Sequence, residues 1–386
     1  MRRRDILKAG IATTAGFGFA FAGRSSANTE TKIDVQITER GQLGRWTCEA
    51  ANAWYRTYPW IMGYNYVPST AINQLETWQA DDFDPKTIDR ELAMGAAIGL
   101  NTVRFFMHDI AWSIDPESFK KRLDIVLGLC AKNKTWALPT FFTNGGPGPH
   151  IEIKPGKQPE SRPDVHNSSW LQSPGVAKVN DPKQWSKLEN YVTDVITTFA
   201  KDKRILLWCL YNEPENQRFG EKTLPLMREV WKWARKVNPI QPLTAPYMTF
   251  PGATERSSLP ICCFLGENSD VISFHCYGKP EDVQSRIKLF HQFERPIVCT
   301  EYMGRPTSTF FDIAPMLKEH HIGAIHWGLV NSKCNFHLPW RPKPEDLPEP
   351  RVWFHDIFRK DGTPYDAKEI ELIKNLTGKS NPPTQP

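Results

Sequence analysis

Residues 205–214 read Ile-Leu-Leu-Trp-Cys-Leu-Tyr-Asn-Glu-Pro, and residues 296–303 read Pro-Ile-Val-Cys-Thr-Glu-Tyr-Met. Each stretch is a short apolar run that ends on a glutamate, Glu213 in the first and Glu301 in the second. A run that is apolar on both faces is typical of a parallel strand that helices cover. The two runs therefore predict an α/β fold in which each glutamate lies where a buried strand ends.

Outward from these two runs, strand-like and helix-like segments alternate along the chain. The strand candidates span residues 60–66, 102–107, 136–142, 205–210, 242–248, 271–277, 296–301 and 324–330. The helical patterns span residues 87–98, 116–132, 185–201, 223–237, 256–265, 281–293, 311–320 and 367–376. Eight strands alternating with eight helices predict a single (β/α)8 TIM barrel, with function at the carboxyl ends of the strands. A doubly wound open sheet would need a switch point and usually a glycine-rich phosphate loop, and neither is seen in the sequence.

Two predicted connections are too long to be simple turns. Residues 143–184 follow the third strand and residues 331–366 follow the eighth, so both would hang over the carboxyl ends of the strands. Long loops in a compact domain are usually functional or disordered. These loops contain His166, Trp170 and Trp340, which favours ordered walls around a substrate. Residues 28–377 are the predicted catalytic domain, and residues 378–386 are a predicted loose tail.

The amino terminus has the pattern of an export signal. Arg3 and Arg4 lie in a basic segment, residues 9–22 are weakly apolar, and small residues around Ala22 and Ala27 offer cleavage sites. This order resembles a twin-arginine export signal in residues 1–27 and predicts a periplasmic or secreted protein. The alternative is a basic tail that happens to precede an apolar patch.

Charge and hydropathy exclude several classes of partner. Residues 1–27 carry a net charge of +4, while the whole chain carries +5. The remaining chain is close to neutral, about +1, so charge gives no support for a nucleic-acid partner. The apolar run is too short to span a bilayer and no later stretch is long enough, so we expect no membrane anchor. The oligomeric state is left open.

The eight cysteines do not have the spacing of a disulfide scaffold or a zinc site. Cys209, Cys276 and Cys299 fall within predicted strands and Cys130 falls within a predicted helix, so buried thiols are expected. The chain has no C-x-x-C pair, and two adjacent cysteines are too close for a zinc finger. We therefore expect no metal site.

Two carboxyl groups at neighbouring strand ends are the minimum equipment for cleaving a glycosidic bond. Glu213 would be the general acid/base, with a pKa raised by apolar walls or by the charge of Glu301. Glu301 would be the nucleophile, kept ionised by hydrogen bonds from Arg104 and Tyr277. Asn212 would contact the sugar 2-hydroxyl, an interaction that strengthens in the transition state.

Several of these features resemble clan A glycoside hydrolases, and among them the cellulases and mannanases of glycoside hydrolase family 5. The features are Asn212-Glu213-Pro214 after an apolar strand, His275-x-Tyr277, Glu301, Trp327 and Asn101-Thr-Val-Arg104. The resemblance implies a (β/α)8 fold, retention of configuration, no cofactor and a β-linked glucan, mannan or related carbohydrate as substrate. Residues 63–78 and 105–109 depart from the cellulase pattern, so the subfamily and the sugar stay open.

Further substrate contacts are predicted at His275, Trp327, His108 and Trp170. His275 shares a strand face with Tyr277, which favours a contact with the sugar or a glutamate, although a core histidine is the alternative. Trp327 at the end of the eighth strand is well placed as a floor for the sugar, and barrel packing is its alternative. His108 and Trp170 fit sugar contact and loop packing equally well.

The same features leave three other functions open. A barrel that binds glycans without cleaving them would use the aromatic side chains but not the carboxyl pair. An exo-acting β-glycosidase would differ from an endo-glycanase in the shape that the two long loops give the site. A metallohydrolase barrel needs clustered His and Asp ligands, and His275 and His108 alone are too few.

Overall fold

The computed structural model of the protein describes residues 44–146, 153–248 and 259–379. The predicted export signal therefore lies outside the described residues, as do residues 380–386 of the predicted tail. All of the described residues belong to one compact unit. Within them, no helix has the length and apolar character needed to cross a bilayer.

Nine strands form one parallel sheet within the described ranges. They are β1 (Met62–Tyr66), β2 (Thr102–Phe106), β3 (Trp136–Thr143), β4 (Trp208–Asn212), β5 (Leu243–Thr244), β6 (Pro246–Tyr247), β7 (Ile272–His275), β8 (Ile297–Glu301) and β9 (Gly323–Trp327). Their order is β5-β4-β3-β2-β1-β9-β8-β7-β6, and every pair is parallel. Because only Ala245 separates β5 from β6, the two edges of the sheet belong to one interrupted strand. The sheet thus closes into the predicted eight-stranded barrel.

The helices lie between successive strands. In the described part of the chain they are α1 (Cys48–Tyr55), α2 (Gln74–Trp78), α3 (Pro85–Ala97), α4 (Asp109–Ile114), α5 (Pro116–Lys132), α6 (Val176–Val179), α7 (Trp185–Phe199), α8 (Leu224–Val237), α9 (Leu259–Asn268), α10 (Pro280–Phe290), α11 (Phe310–Glu319) and α12 (Ala367–Thr377). Eight of them match the predicted helical patterns, although the first residues of the fifth pattern lie outside the described ranges. The short helices α1, α2, α4 and α6 are not predicted from the sequence.

Local signals explain where the main helices begin. Asp84 caps α3 by accepting a hydrogen bond from the backbone N–H of Thr87, and Asp115 caps α5 in the same way through Ser118. A proline occupies the first turn of each helix, where its missing N–H removes no helical hydrogen bond. The side-chain oxygen and the proline together set the start of each helix.

The amino end of the barrel is closed by apolar side chains. Leu138, Leu207 and Ile325 belong to a fully buried cluster contributed by several strands, and Trp54 and Tyr58 pack against it. Trp54 lies on α1, so this helix covers the end of the barrel opposite to the ends of β4 and β8. In this fold that end serves stability, which leaves the carboxyl ends of the strands for chemistry.

All eight cysteines lie within the described residues, and all are free thiols. Six of them are buried and two are half-buried. The four cysteines predicted to be buried thiols, Cys130, Cys209, Cys276 and Cys299, are among the buried six.

Candidate active site

The carboxyl ends of β4 and β8 bring the two glutamates together. Glu213 follows β4 directly and Glu301 is the last residue of β8, while His275 ends the neighbouring strand β7. One side-chain atom from each of the three residues lies within 4.8 Å of the others. Nδ1 of His275 lies 2.7 Å from Oε1 of Glu213 and 3.4 Å from Oε2 of Glu301. The imidazole therefore connects the two carboxyl groups.

Glu301 is held by two hydrogen-bond donors, as the sequence predicts. Nη1 of Arg104 donates to Oε1 over 2.8 Å, and the hydroxyl of Tyr277 donates to Oε2 over 2.8 Å. Arg104 is fully buried below the carboxylate and does not line the cavity above it. It therefore contacts Glu301 from below rather than a sugar in the cavity.

Arg104 also orients the amide of Asn212. Nη2 donates to Oδ1 of Asn212 over 2.5 Å, and Nδ2 of Asn212 donates to Oγ1 of Thr143 over 3.2 Å. The guanidinium is itself positioned by Asn65, whose Oδ1 accepts a hydrogen bond of 2.7 Å from Nη1. A planar guanidinium with fixed donor directions suits such shared contacts. The predicted nucleophile Glu301 and the predicted 2-hydroxyl contact Asn212 are thus held by the same side chain.

Glu213 has a different environment. Its Oε2 accepts a hydrogen bond of 2.6 Å from Nδ2 of Asn216, and among the described residues no arginine or lysine forms an ion pair with it. Its backbone has a φ of 46°, in the left-handed region that residues other than glycine rarely adopt. Strain of this kind clusters at functional sites, where the surrounding structure maintains it.

Both carboxyl groups are largely buried, and the charge of Arg104 favours the ionised form of each. Burial raises the pKa of Glu213, and the hydrogen bond from Asn216 opposes that rise. Burial also raises the pKa of Glu301, but there Arg104 and Tyr277 both stabilise the ionised form. Burial lowers the pKa of His275 to about 3, so its imidazole is neutral near pH 7. Only Glu301 contacts Arg104 directly, which favours its ionised form, while the nearby charge of Glu213 raises its pKa.

A cavity of about 600 Å3 lies above the two glutamates. This volume is typical of sites for small molecules. Its aromatic lining comes from Trp170, Tyr277, Trp327 and Trp340, and its polar lining includes His166, Asn167, Asn216, Gln217 and Arg341. Aromatic faces beside amides and a guanidinium suit a ligand that has apolar ring faces and many hydroxyls. The predicted residues Asn212, His275, Tyr277, Trp327 and Trp170 all line this cavity.

The structure places His108 differently from its predicted role. It is fully buried and absent from the cavity lining, and its Nδ1 accepts a hydrogen bond of 3.2 Å from the backbone N–H of Ile110 at the start of α4. The next residue, Asp109, accepts hydrogen bonds from Ser173 and Lys178. His108 therefore caps a helix within a buried polar cluster and does not reach the sugar cavity.

Asn65 is a site residue that the sequence analysis missed. Besides accepting from Arg104, it donates through Nδ2 to the carbonyl oxygens of Thr300 and His326. It pairs in register with Arg104 on β2 and with Trp327 on β9. Asn65 is a polar residue within a buried strand, and this pattern is the sequence signal that could have identified it.

Glu213, His275 and Glu301 are also the described residues that could together hold a metal ion. A cation bound to all three would lie near the guanidinium of Arg104, which already contacts Glu301 over 2.8 Å. Repulsion between the two positive charges disfavours such a site.

No protein-family model matches the chain, and no curated protein matches it in sequence. Solved structures do match it. An exo-beta-1,4-mannosidase from an Opitutaceae bacterium aligns with a TM-score of 0.55 and 17% identity over 82% of this chain, which spans only 59% of that protein. An endo-1,4-beta-D-mannanase from Thermotoga petrophila aligns with a TM-score of 0.53 and 12% identity over 82% of this chain and 99% of its own.

A third structure, GH5_18 from Streptomyces cattleya in complex with GlcNAc, aligns with a TM-score of 0.56 and 12% identity over 84% of this chain and 82% of its own. Identities this low show a shared fold. The predicted resemblance to clan A glycoside hydrolases is therefore confirmed for the (β/α)8 barrel.

Proposed function

We propose that this protein is a retaining glycoside hydrolase that cleaves O-glycosidic bonds of β-linked poly- or oligosaccharides. One observation carries the proposal: carboxylate oxygens of Glu213 and Glu301 lie within 4.8 Å of each other and have different hydrogen-bond donors. Retaining enzymes hold their two carboxyl groups about 5–5.5 Å apart, and inverting enzymes leave about 6.5–9.5 Å for a water molecule. The short separation favours retention.

The environments of the two groups assign their roles. Glu301, stabilised as a carboxylate by Arg104 and Tyr277, attacks the anomeric carbon. Glu213, which no arginine or lysine of the described chain pairs with, gives its proton to the departing glycosidic oxygen. A covalent glycosyl-enzyme and a free alcohol result. Glu213 then takes a proton from water, the water oxygen attacks the anomeric carbon, and Glu301 leaves as a carboxylate.

Two further residues position the sugar during these steps. Asn212 lies beside Arg104 with its amide fixed, so it is ready to hydrogen-bond the 2-hydroxyl as positive charge develops at the anomeric carbon. Trp327 ends β9 beside the cavity and supplies an apolar face for the ring. The alternative of a barrel that only binds glycans leaves the paired glutamates without a role.

The solved structures with the same fold support a β-linked carbohydrate substrate. The names of two of them specify the cleavage of beta-1,4-linked mannan or mannosides, and the third contains bound GlcNAc. We extend to this chain only the common class, a β-linked sugar.

Chemical rescue tests the roles of the two glutamates separately. Hydrolysis of a panel of 2,4-dinitrophenyl β-glycosides of glucose, mannose, galactose and xylose is measured for the wild type, Glu213→Ala and Glu301→Ala, with and without azide. We expect Glu213→Ala plus azide to yield a β-glycosyl azide, because azide attacks the glycosyl-enzyme. We expect Glu301→Ala plus azide to yield the α-anomer, because azide replaces the nucleophile.

The matched control is Glu221→Gln, an exposed glutamate of the connection after β4, which should keep wild-type activity. Full activity of either alanine variant, or azide products of the reversed anomeric form, would refute the roles. Binding of β-glycans without any hydrolysis by the wild type would favour the glycan-binding alternative.

A further inference from the structure

The two long loops over the barrel mouth are joined to each other. The backbone N–H of Asn167 donates to the carbonyl of Cys334 over 2.7 Å, and Nδ1 of His166 lies 2.6 Å from the carbonyl oxygen of Leu338. Asn335 donates through Nδ2 to Ser161 Oγ and to the carbonyl oxygens of residues 162 and 165. The loop after β3 and the loop after β9 therefore form one continuous structure.

The connection after β1 completes this structure. Nδ2 of Asn73 donates to the carbonyl of Ser169 over 3.0 Å, and the thiol of Cys334 donates to the carbonyl of Ile72 over 3.2 Å. We call residues 67–73, 153–175 and 331–358 the loop wall. Its interior is a buried apolar cluster of Val67, Ala71, Phe106, Trp170, Trp327, Cys334 and Phe336. The segments of the loop wall are thus joined by a buried apolar cluster as well as by hydrogen bonds.

The position of the loop wall follows from the strand order. The sheet runs β3-β2-β1-β9, so loops that leave β3 and β9 meet above β1 and β2. Glu213 follows β4 and Glu301 ends β8, the two strands that flank this run of four at its ends. The wall therefore stands on one side of the carboxyl pair.

The proposed mechanism indicates whether the loop wall lies on the glycone side or the aglycone side of the carboxyl pair. Glu213 must face the leaving-group oxygen, so the aglycone extends past it towards Asn216, Gln217 and Met248. The sugar attacked by Glu301 lies over Trp327, on the side of the wall. Trp327 in turn packs against Trp170 at 5.8 Å and Phe336 at 5.4 Å between ring centroids. A second sugar beyond the first would have to occupy the space that these wall residues fill.

A further aromatic side chain lies at the rim of the same pocket. Trp340 is 56% exposed, yet its ring packs edge-on against Tyr277 at 5.1 Å and against Phe354 at 5.0 Å. Tyr277 bonds Glu301, so Trp340 stands at the rim of the pocket that holds the attacked sugar.

We propose that the loop wall ends the glycone side of the site after one sugar, so that the enzyme removes single sugars from the non-reducing ends of its substrates. This inference rests on the proposed glycosidase function. The substrate class is a chain with a free, unbranched non-reducing terminal β-linked sugar.

Product order tests this inference. Cello-, manno-, galacto- and xylohexaose, each labelled at the reducing end with 2-aminobenzamide, are incubated with the enzyme and sampled during early turnover. We expect labelled products that shorten one sugar at a time, with monosaccharide as the unlabelled product. Unlabelled di- or trisaccharides at early times would overturn the inference while leaving the glycosidase proposal intact. No hydrolysis by the wild type of any labelled chain or dinitrophenyl glycoside would refute the glycosidase proposal itself.

A variant that loosens the loop wall tests its part in this selectivity. Asn335→Ala removes the donors to residues 161, 162 and 165, and we expect the share of early products longer than a monosaccharide to rise several-fold. The matched control is Asn238→Ala at the carboxyl end of α8, on the opposite face of the barrel. Both asparagines have a positive φ, 55° at Asn335 and 56° at Asn238, so both substitutions carry the same backbone cost.

A longer-product share that stays at the wild-type level in a folded Asn335→Ala variant would contradict the role of the wall. An equal rise in Asn238→Ala would also contradict it, because that residue is far from the mouth. The product order of the wild-type enzyme stays informative if Asn335→Ala does not fold.

Discussion

Arg104 is one source of the difference between the two carboxyl groups. Its guanidinium contacts Glu301 directly and orients Asn212, and it makes no ion pair with Glu213. Buried charges are stable only when they are paired and hydrogen-bonded. The contact of this buried cation with Glu301 supports the proposed roles of Glu301 as nucleophile and Glu213 as acid.

The hydroxyl of Tyr277 tests this electrostatic assignment at low pH. Activity requires ionised Glu301, so it is lost as pH falls through the pKa of that group. Tyr277→Phe removes a hydrogen bond to the ionised form, which raises the pKa and moves the acidic limb of kcat/KM to higher pH. On the acidic side, we expect kcat/KM to fall by about tenfold relative to the wild type.

The pH profile of kcat/KM is the measurement, with Tyr58→Phe as the control. Tyr58 packs at the closed amino end of the barrel, and its loss of a hydroxyl should leave the profile unchanged. An acidic limb at the wild-type position in Tyr277→Phe would contradict the role given to Glu301.

Among the elements, two helices contain a glycine in opposite surroundings. Gly95 in α3 faces the barrel, where an added Cβ would lie 2.7 Å from Cε1 of the fully buried Tyr64. Gly128 in α5 is exposed, and the nearest atom to an added Cβ is Nη1 of Arg204 at 4.0 Å. Glycine is thus required by packing in α3 but only weakens the helix in α5.

The same substitution should consequently have opposite effects in the two helices. Gly128→Ala should stabilise the protein by about 0.5–1 kcal/mol, because alanine loses less conformational freedom in a helix. Gly95→Ala should destabilise it by about 1–3 kcal/mol, because overpacking against Tyr64 outweighs that gain. Thermal midpoints of the two variants, measured side by side, check the signs. A raised midpoint for Gly95→Ala would mean that α3 is less tightly packed on the barrel than described.

The two ends of the strands differ in the side chains that they carry. The lower part of the barrel carries apolar side chains such as Leu138 and Val298, while the last residues of β4, β7 and β8 lead into Glu213, His275 and Glu301. The turn after β4 begins at Glu213 itself, whose positive φ redirects the chain. Site chemistry is therefore concentrated within a residue or two of the strand ends, as this architecture requires.

At the scale of the whole molecule, the barrel is closed at one end and functional at the other. Helix α1 and the apolar cluster beneath it seal the amino end. The joined loops narrow the carboxyl end to a cavity of about 600 Å3. The aqueous route to the glutamates thus lies at the carboxyl face of the barrel.

Export is predicted for the entire chain, and its predicted signal lies outside the described residues. We expect the full-length protein to reach the periplasm of a Gram-negative host that has a twin-arginine pathway, with cleavage after Ala22 or Ala27. Replacing Arg3 and Arg4 together by lysine should retain the protein in the cytoplasm, because a receptor reads this signal and lysine does not reproduce the guanidinium.

Cell fractionation and amino-terminal sequencing of the exported chain are the measurements. Arg24→Lys, which changes an arginine outside the pair, should leave export intact. Equal export of the twin-lysine chain would exclude a twin-arginine signal.

The sequence by itself determined the barrel and the identity of the carboxyl pair. Eight apolar runs separated by helical patterns are local periodic signals. Because strands buried on both faces are apolar throughout, they can be recognised in the sequence without knowledge of distant contacts. Glu213 and Glu301 could be recognised because each directly follows such a run.

Only the tertiary structure decided how the surrounding side chains are used. The sequence left His108 open between sugar contact and loop packing, and it caps α4, while Asn65 was not predicted and holds Arg104. The sequence predicted that Arg104 would contact Glu301, but it did not predict that Arg104 would be buried below the cavity. The joining of the loops after β1, β3 and β9 was equally hidden. These features depend on side-chain direction and on contacts between residues far apart in the chain, which sequence spacing does not contain.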